Sequence, residues 1–134
     1  DGKKLKKMLV KKITKNSLVV GHFAPYVISQ KQVDTVVVLR KNPYKLTSIY
    51  KKRKYSYGKS IQNLGSEILG VTLYDAISAF GSNKTFQIDT TNKSVSTVVK
   101  KIESFFANGI LEEDKVDWLG LISERNDLKR FFPY

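Results

Sequence analysis

The chain has 134 residues, which is enough for one domain with a hydrophobic core. It has no cysteine and a single histidine, His22, so disulfides, thiolate nucleophiles and metal sites built from several histidines are excluded. No apolar run approaches the roughly 20 residues of a membrane helix, and no signal-type stretch follows the basic start. We therefore expect a soluble cytoplasmic protein without a membrane partner.

Charge is distributed unevenly along the chain. The net charge is +12, and residues 1–59 hold 16 basic and 2 acidic residues, whereas residues 60–134 hold 8 basic and 10 acidic ones. Such a field concentrates anions near one part of the molecule. Nucleotide phosphates, RNA and a ribosomal surface are the expected partners, and charge alone does not distinguish them.

The first third of the chain predicts one helix and two strands. Apolar residues at helical spacing predict an amphipathic helix over residues 3–15, with its lysines in solvent. The run Leu18–Val20 predicts a strand that ends at His22, and residues 23–33 predict a loop. Thr35–Leu39 predicts a second strand, and because its residues are apolar at successive positions we expect burial on both faces, as in a parallel sheet beneath helices.

Two helices are predicted next. Asn42 and Pro43 are a typical N-cap and first helical residue, so residues 43–54 predict a helix that ends in a basic cluster at Lys51–Lys54. A longer helix of about 20 residues is expected to run from Ile61 to Phe80 and to close at Gly81. The glycines inside it, Gly65 and Gly70, indicate close packing or a bend.

The remainder completes an α/β pattern. Thr85–Asp89 predicts a third strand, and a helix with a strong apolar stripe starts at Ser94 and stops at Gly109. Residues 110–134 predict a helical tail of one or two short helices. We expect residues 1–109 to form one α/β domain with a parallel sheet and helices on both faces.

Candidate functional residues lie where the predicted strands end. Ligands in such folds sit beyond the carboxyl ends of the strands, which points to His22, Arg40 and Asp89. A lone histidine at a strand end has a structural interpretation as well as a chemical one. Gly58–Ser60 reproduce the end of a phosphate-binding loop, but Arg53 stands where that motif needs a glycine, so a linker followed by a helix start is the better interpretation.

The basic cluster at Lys51–Lys54 has two interpretations. Arg53 could stabilise a transferring phosphoryl group from a mobile lid, or the cluster could be a solvated helix end favoured by the helix dipole. Tyrosines beside these bases would also suit stacking on RNA bases. They are Tyr44, Tyr50, Tyr55 and Tyr57.

Four segments together resemble the later part of the archaeal and nuclear type of adenylate kinase, whose members are also ATPases in ribosome maturation. The resemblance covers residues 18–106, about two thirds of the chain. Its segments are LVVGHFAPY (18–26), VVVLRKNPYKL (36–46), the lid-like KKRKYSYGKSIQNLGSEI (51–68) and FQIDTTNKS (86–94).

The resemblance implies a fold and ligands. The fold would be a three-layer parallel sheet of the P-loop NTPase and nucleoside monophosphate kinase type. ATP with Mg²⁺ would be the phosphoryl donor, a nucleoside monophosphate such as AMP the acceptor, and a small-subunit ribosomal protein a further partner.

The resemblance also assigns site residues. Arg53 would face the phosphates, and His22 would organise magnesium and water. The first arginine of the family's lid pair falls at Ile49 here, so part of the expected nucleotide clamp is missing. The expected nucleotide-binding residues are Lys59, Asn63, Thr91, Asn92 and Lys93.

Members of this family begin with a strand and a glycine-rich phosphate loop that have no counterpart in the sequence. In the family that strand lies between the ones matching residues 18–22 and 36–40, so its loss would leave a gap of about twice the 4.8 Å strand spacing. We expect a missing N-terminal segment, a second chain or a rearranged pairing to fill it.

Three hypotheses follow. In the first, the chain is the C-terminal part of an adenylate-kinase-like phosphotransferase or ATPase (ATP + AMP to 2 ADP) that is inactive without the upstream segment. In the second, it is a basic RNA- or ribosome-binding module on a degenerate kinase fold. In the third, it is a structural subunit that lends a sheet edge to a partner.

Overall fold

A computed structural model describes residues 1–109 and 112–133, so the start of the predicted tail at residues 110 and 111 and its end at residue 134 lie outside the described residues. The described part contains two strands, eight α-helices and a 3₁₀ turn at Gln30–Gln32. The elements are α1 (Gly2–Lys12), α2 (Ala24–Val27), β1 (Val36–Arg40), α3 (Pro43–Lys52), α4 (Tyr57–Leu69), α5 (Val71–Phe80), β2 (Thr85–Asp89), α6 (Val95–Asn108), α7 (Trp118–Glu124) and α8 (Leu128–Phe131).

The chain divides into two compact units. The first comprises residues 1–38 and 72–86, and the second comprises residues 39–71 and 87–134, within which residues 110, 111 and 134 are not described. Each strand begins in the first unit and ends in the second.

β1 and β2 form a two-stranded parallel sheet. The Val36 N–H donates to the Lys84 carbonyl at one end, and the Thr90 N–H donates to the Arg40 carbonyl at the other, both at 2.8 Å. Residue numbers rise together along the two strands, which is the register of a parallel pair. The α/β class and the parallel pairing are therefore confirmed, and both strands lie within one residue of their predicted bounds.

The first unit is held by an apolar cluster. Five buried residues form it, and half-buried Leu9 and Ile13 from the first helix and its end pack against them. α1 itself contains no buried residue, which agrees with a helix whose lysines face solvent. The five are Val27, Ile28, Val38, Ala76 and Phe80.

The second unit has its own apolar cluster. Leu64 and Ile68 of α4 pack against Trp118 and Ile122 of α7 and against Phe131 of α8. Residues 112–133 therefore pack on α4 through two short helices, as the apolar pattern of the tail predicts.

The helix ends follow from their capping residues. The Asn42 side chain accepts the Tyr44 N–H at 2.9 Å with Pro43 in the first turn, so the predicted start of α3 is confirmed. Ser56 caps α4 in the same way. Lys59 is thus in the first turn of a helix preceded by a linker, which is the interpretation favoured over a phosphate loop.

The single long helix predicted from Ile61 to Phe80 is wrong. Two helices occupy this stretch, separated by Gly70, which adopts a left-handed conformation with φ +67°. A Cβ at Gly70 would lie 3.7 Å from the guanidinium nitrogens of Arg40. The glycine ends α4 because a left-handed residue is easiest for glycine and because Arg40 is packed against it.

The strand predicted at Leu18–Val20 is also wrong. These residues form no strand, and Leu18 and Val20 are 89% and 87% exposed. An extended apolar segment becomes a strand only when its backbone finds a partner, and the described residues supply none here. The predicted loop at 23–33 instead contains α2 and the 3₁₀ turn.

Two apolar surfaces are exposed against expectation. Leu39 in β1 is 57% exposed, so the strand is not buried on both faces. In α6 only Val98 of the apolar stripe is buried, while Val95 and Phe106 are 81% and 69% exposed.

A search of the described residues finds no helix of the length and apolar character that crossing a membrane requires.

Candidate functional site

A buried ion pair stands at the carboxyl end of β1. Arg40 is 4% exposed, and its Nε donates to Glu67 Oε1 at 2.8 Å. Its two terminal nitrogens donate to the Glu67 carbonyl and to Gln87 Oε1, each at 2.8 Å. A buried guanidinium needs such partners, and here they join β1 to α4 and β2 within the second unit.

Glu67 Oε1 is the shared acceptor of this arrangement. Besides Arg40 it accepts the indole N–H of Trp118 at 2.8 Å and the Lys41 N–H at 3.2 Å. Since Leu64 and Ile68 on the same face of α4 are buried, the last two turns of this helix are fixed. The lid-like segment 51–68 is therefore anchored at its C-terminal end.

The loop that follows β2 is held by side-chain hydrogen bonds. Asp89 Oδ1 accepts both the N–H and the hydroxyl of Thr91, and Thr91 Oγ1 in turn accepts the Asn42 N–H at 2.9 Å. The Thr90 hydroxyl donates to the Arg40 carbonyl. The start of α3 and the loop after β2 are thus locked together, and Asn92 stays exposed at the tip of that loop.

Lys93 is engaged by acceptors of its own unit. Its Nζ donates to the Asp89 carbonyl at 2.6 Å and to Asp114 Oδ2 at 3.2 Å. Lys101 of α6 approaches both oxygens of Asp114 at 3.4 Å. Burial by itself would raise the pKa of Asp114, but the Asp89 N–H and the two ammonium groups outweigh it, and the pKa is lowered.

The linker between α3 and α4 carries exposed cations and stacked aromatic rings. Tyr50 and Tyr55 stack with centroids 5.3 Å apart, and the Lys59 ammonium lies 3.8 Å from the centre of the Tyr55 ring. Arg53 is exposed, and among the described residues neither it nor the neighbouring Lys52 forms an ion pair. These side chains are free to meet an anion, as a cation–π contact leaves an ammonium accessible.

The predicted site residues do not form one network. Thr91 and Lys93 share the Asp89 network, whereas Arg53 and Lys59 belong to the α3–α4 linker, and no hydrogen bond joins the two groups within the described ranges. Asn63 is half-buried on α4. His22 is exposed and lies in the first unit, where its ring contacts Phe23 at 4.1 Å.

Three residues of this region were missed or undervalued by sequence reasoning. The sequence patterns assign no binding role to Glu67, Asp114 or Trp118. Glu67 carried a usable signal, because it shares a helical face with Leu64 and Ile68, and a carboxylate on an apolar face implies a buried cation.

The carboxylates near the strand ends do not fit a protein-held magnesium ion. No group of three potential metal ligands occurs among the residues that the structure describes. Glu67, Asp89 and Asp114 are already committed to Arg40, Thr91 and the two lysines. The described carboxylates therefore leave no set of three ligands for such an ion.

The tail and α3 meet at a tyrosine. The Tyr44 hydroxyl donates to Asp127 Oδ2 at 2.6 Å, its ring meets Phe131 edge to face at 5.2 Å, and the Arg125 guanidinium lies 4.7 Å from the ring centre. Burial and the Asp127 carboxylate raise the pKa of Tyr44. Residues 112–133 thus brace both helices that flank the α3–α4 linker.

Comparison with known proteins points to one class. The chain is 37% identical over 112 residues, 84% of its length, to a Saccharolobus solfataricus protein named "Putative adenylate kinase". Proteins of the same name from Archaeoglobus fulgidus and Methanococcus maripaludis are 30% and 29% identical over 123 and 119 residues. No protein-family model matches the chain.

The matched regions are partial on the side of the relatives. They cover 58% of the Saccharolobus protein, 65% of the Archaeoglobus protein and 64% of the Methanococcus protein. The chain therefore spans less than two thirds of these relatives. The similarities support an adenylate-kinase-like family for the chain, as the four motif segments predict.

Proposed function

We propose that the chain is the C-terminal part of an adenylate-kinase-like phosphotransferase or ATPase that converts ATP and AMP to two ADP. The observation that carries this proposal is the 37% identity over 84% of the chain to a protein of that name. The parallel strands and the polar side chains at their carboxyl ends agree with it, because ligands of α/β folds lie at that edge.

In this proposal the second unit supplies a loop that hydrogen bonds hold in place and two exposed cations near the α3–α4 linker. The loop Thr90–Lys93 matches the segment that lies beside adenine in the family that the chain resembles, and its backbone would have that role here. Asp89 and Asn42 hold the loop in place. The cations are Arg53 and Lys59, which would approach the phosphates, and Asn63 of α4 would also bind the nucleotide. A fixed base site and movable cations suit phosphoryl transfer, which depends on positioning and positive charge.

ATP would enter with its magnesium ion as one substrate, and no side chain of the described ranges is assigned to the ion. His22 as an organiser of water remains a prediction. The same holds for a role in ribosome biogenesis, for a cytoplasmic location and for the division of the chain at residue 109.

We further propose that a strand and a phosphate loop outside residues 1–134 complete a three-layer sheet. Two features support this. Leu18 and Val20 are exposed in a segment without regular secondary structure, and β1 pairs with β2 alone among the described residues, so its outer edge and Leu39 are uncovered. Unpaired edges of this kind are suited to an added strand.

The test compares the chain with a chimera. Residues 1–134 alone should show no AMP-dependent ADP formation in a coupled assay, whereas fusion to the N-terminal remainder of the Saccharolobus relative should give activity. Arg53→Met in the chimera should lower kcat about 100-fold or more, since a cation on the transferring phosphoryl group is lost.

Lys129→Met is the control, because Lys129 is exposed on α8, lies outside the basic cluster and forms no ion pair among the described residues, and it should change kcat less than about threefold. Activity of the 134-residue chain alone would contradict the requirement for an upstream segment. A folded but inactive chimera that binds neither ATP nor AMP would contradict the phosphotransferase.

RNA binding is the second candidate, and one observation favours it. The lysine-rich helix α1 has no buried residue, so its positive charges face solvent, and residues 1–59 carry most of the positive charge of the chain. Filter binding to RNA should then weaken steeply with salt and should not depend on adenine nucleotides. RNA binding that is unaffected by salt between 50 and 200 mM would reject this candidate.

A further inference from the structure

We propose that Lys93, Lys101 and the N–H of Asp89 form an oxyanion-binding site for a phosphate group, which the carboxylate of Asp114 fills when no ligand is bound. This inference deepens the proposed function, because it assigns a phosphate-binding role beside the loop Thr91–Lys93. It rests on that function only for the nature of the natural anion.

Three donors converge on one oxygen. Asp114 Oδ2 accepts the Asp89 N–H at 2.8 Å, the Lys93 ammonium at 3.2 Å and the Lys101 ammonium at 3.4 Å. A backbone N–H together with two cations is the donor set that proteins use for phosphate oxygens. Asp114 here has the role that an oxygen of a bound anion would have.

The donors remain in place without the carboxylate. The Lys93 ammonium is also held by the Asp89 carbonyl at 2.6 Å, and Lys101 projects from α6, a regular helix. Asp89 itself is the last residue of β2 and bonds to Thr91 through its side chain. Removing Asp114 therefore leaves a preformed site with two positive charges.

Asp114 is the internal acceptor that a ligand would have to displace. It lies in the segment 112–117, which has no regular secondary structure, and its backbone N–H makes one hydrogen bond, to the Gln87 carbonyl at 3.2 Å. Its side chain is 28% exposed, and those of Lys93 and Lys101 are 30% and 23% exposed. A doubly charged phosphate can therefore reach the lysines and compete with a singly charged carboxylate.

Inorganic pyrophosphate is the probe, because it carries the phosphate chemistry without adenine. In the full chain, addition of pyrophosphate should shift the ¹⁵N–¹H signals of Asp89 and Asp114 together. Asp114→Ala should bind pyrophosphate about tenfold more tightly by calorimetry, since the internal competitor is gone. Asp114→Asn keeps an oxygen for the Asp89 N–H and should gain about threefold, which tests the site even if the alanine variant is unstable.

Lys101→Met in the Asp114→Ala background should abolish the gain. Lys100→Met is its matched control, because Lys100 is the adjacent residue of α6, is exposed, and forms no ion pair among the described residues. Equal affinity of folded wild type and Asp114 variants, or equal losses from Lys100→Met and Lys101→Met, would overturn the proposal.

Adenosine separates this inference from the proposed function. Pyrophosphate binding through Lys101 together with no binding of adenosine or AMP would keep the phosphate site and reject the kinase. Binding of adenosine with no response of the Asp89 signal to pyrophosphate would reject the phosphate site and keep the kinase proposal.

Discussion

The two compact units differ in what holds them together. The first is built on an apolar cluster around Phe80, and its described residues form no side-chain ion pair. All three ion pairs formed by the residues that the structure describes lie in the second unit, at the carboxyl ends of β1 and β2.

This difference between the units suggests different roles, with stability in the first unit and the candidate binding residues in the second. Apolar contacts stabilise a unit without requiring a particular bond direction. Paired charges must meet their partners at set distances and therefore fix the positions of the atoms around them. The second unit thus carries the ion-paired side chains at the strand ends. The first contributes exposed positive charge from α1.

The sharpest test of this division removes one large core residue from each unit. Phe80 and Phe131 are each 1% exposed, so changing either to alanine should lower the free energy of unfolding by about 4 kcal/mol. Hydrogen exchange should show the loss of protection in Phe131→Ala confined to residues 39–71 and 87–133. Equal loss throughout both units from either variant would show that they unfold as one.

The buried ion pair offers the next largest effect. Glu67→Gln leaves the Arg40 guanidinium without a charged partner and should lower the free energy of unfolding by about 3 kcal/mol, as measured by urea denaturation. Glu124→Gln, at an exposed position of α7, is the control and should change it by less than about 0.5 kcal/mol. A small effect at Glu67 would mean that the polar network is not what orders the second unit.

The cap of α3 is expected to matter less. Asn42→Ala removes the acceptor of the Tyr44 N–H and should cost about 1 kcal/mol of unfolding free energy. Asn16→Ala, in an exposed turn of the first unit, should leave the free energy of unfolding almost unchanged. Thermal denaturation measures both variants. If both changes cost the same, the side-chain cap of α3 does not add to the stability of the second unit.

The smallest effect is a dependence on pH. The pKa of Asp114 lies below its ordinary value of 3.8, so its contribution to stability is present above about pH 4 and is lost as the pH falls through the folded pKa. Between pH 6 and pH 3, wild type should therefore lose more stability than Asp114→Asn. Equal losses in the two proteins would show that the carboxylate is not held by Lys93 and Lys101.

Local signals predicted most of the secondary structure. The pair Asn42 and Pro43 located the start of α3, and apolar runs located β1 and β2, because capping and β propensity act over a few residues. Leu18–Val20 has the same local character as β1 but forms no strand, since pairing depends on a distant partner that composition does not reveal.

The candidate site was less predictable for the same reason. Arg40 and Asp89 could be placed at strand ends, but their partners Glu67 and Asp114 lie 27 and 25 residues away along the chain. Gly70 shows that even a local feature, the break between α4 and α5, could not be predicted from the neighbouring residues alone. A glycine in a helical pattern allows a bend or a break, and the packing of Arg40 against it accompanies the break.

The position of Asp114 beside β2 also limits how copies of this chain can associate. Its N–H donates to the Gln87 carbonyl and its carboxylate accepts the Asp89 N–H, so that side of β2 is capped, while no second strand pairs with β1 in the part of the chain that the structure describes. An added strand can therefore pair with β1 but not with β2 at Gln87 and Asp89. Growth of the sheet among the described residues is thus directed to the side of β1.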